Sequence, residues 1–160
     1  MEKNQLLSEI KKSLIENKLS LSTAESCTGG LISSYLTDID GASNFIFQNF
    51  VTYSNESKNK FLNVSNETLK NFGAVSEQTA YEMAKGLLNY ANCSIATTGI
   101  LGPTGGSKEK PIGLVYIGLG VKDKIKVIKY ISNKTNRYDI KVDIVITALN
   151  EFLKFIKSEV

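Results

Sequence analysis

The stretch Leu19-Ser20-Leu21-Ser22-Thr23-Ala24-Glu25-Ser26-Cys27-Thr28-Gly29-Gly30 changes its period midway. Leu19 to Ala24 alternates apolar with small polar side chains, the pattern of a short strand. The glycine pair then breaks the pattern, and apolar spacing of a helix resumes over about 29–38. A strand that runs through a tight Gly-containing turn into a helix is the start of a layered α/β arrangement. The flanks agree. Upstream, Leu6, Leu7, Ile10 and Leu14 predict an amphipathic helix over about 3–17. Downstream, Asp40 to Asn44 is a turn, Phe45 to Tyr53 a second strand, and Ser65 and Ser76 are N-cap candidates for helices over about 66–72 and 77–91. Cys93 to Thr97 reads as a short buried strand. Gly113 to Gly120 and Lys124 to Ser132 read as a β-hairpin, and about 138–157 as a last helix. The hairpin forces at least one antiparallel strand into the sheet, so the expected fold is α/β with a mixed sheet, as one domain over 1–160 with no internal repeat or linker.

Composition narrows the chemistry. The chain has 160 residues, 42% of them hydrophobic and 22% charged, and it holds 18 Lys, one Arg (Arg137) and no His. Without imidazole there is no Ser-His-Asp triad, no Cys-His pair and no histidine metal ligand, so acid-base work near neutral pH falls to a carboxylate, Tyr, Cys or a perturbed Lys. The net charge of +3 is spread as Lys alternating with Glu and Asp, which argues against nucleic acid as a partner. Cys27 and Cys93 are too few for a disulfide scaffold or a zinc cage, which fits a reducing cytoplasm. The N-terminus has no apolar signal core, and no stretch approaches the roughly 20 apolar residues of a membrane span.

Ligands of open α/β sheets bind beyond the carboxyl ends of the strands, which is where Ser26 falls. The N–H groups of Thr28, Gly29 and Gly30 at the following helix start are candidate donors to an oxyanion. The same residues also suit a cap, with Ser26 or Thr28 closing the helix and the glycines permitting close packing. Cys27 is a rival nucleophile or a small buried apolar residue, and Cys93 belongs to the core. A serine without His needs another base. Tyr53-Ser54-Asn55-Glu56-Ser57-Lys58 follows the second strand and reaches the same sheet edge if that strand runs parallel beside the first. A desolvated Lys58 can accept a proton, a Tyr53 hydroxyl can orient it, and Glu25 and Glu56 are carboxylate alternatives or structural partners. The loop Gly99 to Gly106 can offer N–H groups to an anion or be only a tight turn; it lacks the G-K-[ST] ending of a P-loop. Arg137 can hold a phosphate bidentately or be an ordinary surface arginine.

Taken in order, Thr23-Ala24-Glu25-Ser26-Cys27-Thr28-Gly29-Gly30, Val51-Thr52-Tyr53-Ser54-Asn55-Glu56-Ser57-Lys58, Gly73-Ala74-Val75-Ser76, and Thr98 to Gly106 with Lys110-Pro111-Ile112-Gly113 resemble the motifs of the CinA C-terminal domain family, the nicotinamide-nucleotide amidases. The resemblance covers essentially the whole chain. It implies a three-layer α/β/α sandwich and hydrolysis of the carboxamide of nicotinamide mononucleotide to nicotinic acid mononucleotide and ammonia, with no metal or cofactor. It implies Ser26 as nucleophile, Lys58 as general base and Tyr53 as supporting hydroxyl. Thr28, Gly29 and Gly30 would serve the oxyanion, while Gly102, Thr104, Gly105 and Arg137 would hold ribose and phosphate. It also implies self-association, as a dimer. The sequence departs from the family at Leu101, where Ala is common, and at Ser132 to Asn136, where a Gly usually precedes the arginine. The family domain also occurs behind a larger N-terminal domain; here it reads as a free-standing enzyme. Two other readings stay open: a nucleotide-binding or interaction module of the same fold without effective catalysis, and an amidase for another small carboxamide.

Overall fold

The computed structural model describes residues 1–160. Strand β1 (Leu21–Glu25) pairs in parallel on one side with β2 (Ile46–Val51) and on the other with β3 (Cys93–Gly99). Strand β4 (Leu114–Val121) is antiparallel to β3, and β5 (Lys124–Ile131) is antiparallel to β4, so the sheet order is β2-β1-β3-β4-β5. Four strands therefore point one way and β4 alone runs against them, the mixed and mostly parallel sheet that the hairpin required.

Helix α1 (Lys3–Glu16) precedes β1, and α2 (Leu31–Thr37) carries the chain from β1 to β2. Helices α3 (Asn55–Leu62), α4 (Asn66–Phe72) and α5 (Glu77–Leu87) carry it back past β1 to β3, and α6 (Arg137–Glu159) closes the chain. Leu6, Leu14, Ile32, Leu36, Ile144 and Phe152 of α1, α2 and α6 pack on Leu21, Ile95, Ile117 and Leu119 on one face of the sheet. Leu62, Met83 and Leu87 of α3 and α5 pack on Ala24 and Ala96 on the other. The result is three layers, α/β/α. Because the chain leaves β1 for a neighbour on one side and reaches β3 on the other by the opposite face, the carboxyl end of β1 is a topological switch point, where an open sheet leaves a crevice. Ser26 is the next residue.

The α5 face is lined with small side chains, which lets the helix lie close. A Cβ on Gly118 would run into the backbone carbonyl of Ala80. Gly118→Ala is therefore expected to destabilise the protein by about 1–3 kcal/mol, as overpacking does. A lower urea midpoint with an unchanged slope would show it, and an unmoved midpoint would mean that α5 can back away.

Among the elements that differ from the sequence reading are three helices. Helix α2 begins at Leu31 rather than 29, because Gly29 (φ +63°) and Gly30 (φ +105°) take left-handed conformations that no helix continues. Helix α5 ends at Leu87, short of 91. Helix α3 was not anticipated at all. Ser54 caps it, its hydroxyl accepting from the N–H of Ser57 at 3.1 Å. Its two buried positions, one turn apart, are Leu62 and a lysine, Lys58, so the apolar stripe that marks a helix is missing. No helix is long and apolar enough to cross a membrane.

Candidate active site

The N–H of Ser26 donates to the Thr97 carbonyl of β3 (3.1 Å), and the N–H of Thr52 donates to the Glu25 carbonyl (2.9 Å). These two bonds extend the sheet one residue past β1 on both sides and bring Tyr53 beside Ser26. Helix α3 then turns Lys58 back toward the sheet. Its Nζ donates to Ser26 Oγ at 2.9 Å, to the Thr52 carbonyl at 2.8 Å and to the Tyr53 carbonyl at 3.0 Å. The lysine is fully buried, with 0% of its surface exposed. Burial without a carboxylate partner disfavours the charged form and lowers its pKa from 10.5 to about 8.

That geometry serves both protonation states of the amine. An ammonium has three N–H donors for three acceptors. A neutral amine keeps two donors on the two carbonyls and turns its lone pair to the serine hydroxyl. The carbonyls thus hold Nζ in place while the third direction changes from donor to acceptor, which is what a proton-accepting base requires.

The alternatives to this pair have other work. Glu25 is buried, and its carboxylate accepts from the N–H of Ile32 (2.7 Å), the N–H of Ser33 (3.0 Å) and the Ser33 hydroxyl (2.9 Å), which fixes the start of α2. Glu56 is exposed and lines no part of the cleft. Burial pushes the thiols of Cys27 and Cys93 up to about 12, so neither supplies a thiolate near neutral pH.

Ser26, Lys58, Tyr53, Gly102, Thr104, Gly105 and Arg137 line one cleft of about 280 Å³. Arg137 is the first residue of α6, capped by Asn136, and its guanidinium donates to the Gly102 carbonyl at 2.7 Å. Its other terminal nitrogen is 3.4 Å from the Tyr53 hydroxyl. Here the arrangement departs from expectation. Tyr53 is 61% exposed, so its hydroxyl reaches Arg137 at the rim, and it is its backbone carbonyl that touches Lys58. Thr28, Gly29 and Gly30 are not among the lining residues. The Thr28 hydroxyl is buried against that of Thr97 (2.8 Å), and Gly29 spends its N–H on the Ser26 carbonyl (3.2 Å). Cys27 does line the cleft, and its backbone N–H makes no hydrogen bond to another residue. Leu101, at 3% exposure, is packed into the cleft wall.

Ala74, Val75 and Thr98 also line the wall, with the Thr98 hydroxyl donating to the Ala74 carbonyl (2.7 Å). The sequence assigns them no role, although Ala74 and Val75 lie within the stretch Gly73-Ala74-Val75-Ser76. No group of three or more Cys, Asp or Glu side chains is placed to hold a metal ion. A larger groove of about 720 Å³ runs between α4, α5 and Val127, but it has no nucleophile beside a base.

Residues 3–156 match the family model described as the CinA C-terminal domain. A CinA-like protein from Endomicrobium trichonymphae is 50% identical over 139 residues, which is 86% of this chain and 32% of that protein. The chain spans about a third of the length of the curated relatives it matches. The crystal structure of the competence/damage inducible protein CihA from Agrobacterium tumefaciens superposes with a TM-score of 0.91 at 42% identity, covering 97% of this chain and 95% of that one. A CinA superfamily protein from Klebsiella pneumoniae superposes with a TM-score of 0.92 at 29% identity, covering 99% of each chain.

Proposed function

The chain belongs to the CinA C-terminal domain family, and from that premise we propose that it hydrolyses the carboxamide of nicotinamide mononucleotide to nicotinic acid mononucleotide and ammonia. The observation that carries the reading is the buried contact of 2.9 Å between Lys58 Nζ and Ser26 Oγ at the switch point of the sheet. In the proposed sequence the neutral Lys58 amine takes the Ser26 proton as Oγ bonds to the carboxamide carbon. The Cys27 N–H, next after the nucleophile, meets the oxyanion. The C–N bond then breaks, Lys58 returns the proton to the departing nitrogen, and ammonia leaves an acyl-serine. Water, deprotonated by the same amine, attacks the acyl carbon. The C–Oγ bond breaks, the proton passes back to Ser26, and the nicotinate form departs. No step needs a metal or cofactor. Arg137, at the cleft rim, faces the phosphate of the nucleotide.

Ammonia release from nicotinamide mononucleotide is the direct test. Wild-type protein that binds the nucleotide tightly without releasing ammonia is a binding module instead. The pH profile tests the base. Below about 8 Lys58 carries a proton and cannot accept one, so kcat/KM is expected to rise about tenfold per pH unit toward that value and then level. A flat profile across this range would remove Lys58 from the role.

A further inference from the structure

Two cations stand one helical turn apart on α6, and neither has a carboxylate partner. Arg137 gives one strong hydrogen bond to Gly102 and keeps donors in reserve. Lys141 is half-buried, and it makes no hydrogen bond or ion pair; the ion pairs of the structure are Lys3–Asp38, Lys154–Glu151 and Lys157–Glu9. The spacing i, i+4 places Arg137 and Lys141 on the same face of the helix. The acidic residues nearby in sequence are engaged elsewhere. Asp139 accepts from Asn136 Nδ2 (2.6 Å), and Asp143 accepts from the Tyr130 and Ser132 hydroxyls (2.9 and 2.5 Å).

The direction of Lys141 is the telling feature. Its Nζ lies 3.7 Å from the point at which a side chain on Gly29 would begin, so α6 aims this ammonium at the turn that follows Ser26. In that turn the N–H groups of Thr28 and Gly30 have no partner within the chain. A partly desolvated ammonium, a guanidinium, unpartnered amides and the first turn of a long helix share one need, which is an anion with several oxygens.

We propose that Lys141 is a specificity-determining residue which, with Arg137, binds a phosphate monoester carried by the substrate. The turn at Thr28 to Gly30 then belongs to this distal anion rather than to the oxyanion at the reacting carbon. The inference rests on the amidase reading for the identity of the substrate, but the anion site itself does not depend on turnover.

The test compares wild type, Lys141→Met and Lys141→Arg in two assays. In the first, ammonia release is followed with nicotinamide mononucleotide and with its phosphate-free riboside. In the second, binding of nicotinic acid mononucleotide and nicotinic acid riboside is measured by calorimetry. Lys141→Met is expected to cut the preference for the phosphorylated form about tenfold or more in both assays, through KM and Kd rather than kcat, and Lys141→Arg to restore it. Ammonia release by wild type with the preference unchanged in Lys141→Met overturns the anion site and leaves the amidase reading standing. No ammonia release by wild type, together with a phosphate-selective loss of binding in Lys141→Met, removes the amidase reading and keeps the site. If wild type neither releases ammonia nor prefers the mononucleotide, both fall.

Discussion

Ser26→Ala is expected to lower ammonia release by at least about 10⁴-fold while leaving affinity for the mononucleotide within a few-fold of wild type. Ser26 Oγ is the cleft hydroxyl that is hydrogen-bonded to the Lys58 amine, and the neighbouring Cys27 thiol is held protonated by burial, its pKa near 12. The side chain is small and 8% exposed, so its loss removes one hydrogen bond from Lys58 and little packing. Binding and chemistry therefore separate. Calorimetry should return an ordinary binding curve from a protein that no longer turns over. Retained activity in this variant would mean that Lys58 activates water directly against the carboxamide, and the acyl-serine step would be dropped.

Much of this site was legible in the residues because two strong local patterns frame it. The alternation from Leu19 to Ala24 followed by Gly29 and Gly30 announced a strand, a turn and a helix, and in a mostly parallel sheet that junction is where a ligand binds. The absence of His then left few bases, and the aromatic-rich strand ending near Tyr53 pointed to Lys58. What was not legible depended on side-chain direction. Helix α3 was invisible because a buried lysine occupies the place where an apolar residue normally marks the inward face. Periodicity reports burial only when burial is apolar, so it is blind where a lysine is turned inside. The hydroxyl of Tyr53 and the amides of Thr28 to Gly30 were assigned by proximity in sequence. The end of an edge strand can present either a side chain or a carbonyl to the cleft, and here it presents the carbonyl. Lys141 carried no sequence signal, being one lysine among 18, and acquires significance only from the approach of its ammonium to the turn at Gly29.

Lys58→Met should abolish activity, by about 10³-fold or more, and make the folded protein more stable at neutral pH. The sign follows from protonation. Burial lowers the pKa of Lys58 from 10.5 in an ordinary setting to about 8 in the fold. Below about 8 the lysine is charged in both folded and unfolded chains, so the folded state bears the whole cost of the buried ammonium, on the order of 3 kcal/mol. Between about 8 and 10.5 the folded chain has released the proton while the unfolded chain retains it, so stability rises with pH. Above 10.5 both are neutral and the cost is gone. Methionine never carries that cost, but it leaves the Thr52 carbonyl without its donor and the Tyr53 carbonyl with only the long 3.4 Å bond from the Ser26 hydroxyl, which takes back about 1 kcal/mol each. The net gain at pH 7 is about 1 kcal/mol, or a few degrees in Tm for a chain of this size. The decisive measurement is the difference between the two proteins across pH. The other lysines titrate alike in both, so a variant advantage that shrinks from about pH 8 upward isolates Lys58. A difference independent of pH would show that the lysine is not buried as an ammonium at pH 7. In the proposed mechanism Lys58 must be neutral to accept a proton, yet at pH 7 it is charged, so the fold holds it there only at the expense of its own stability.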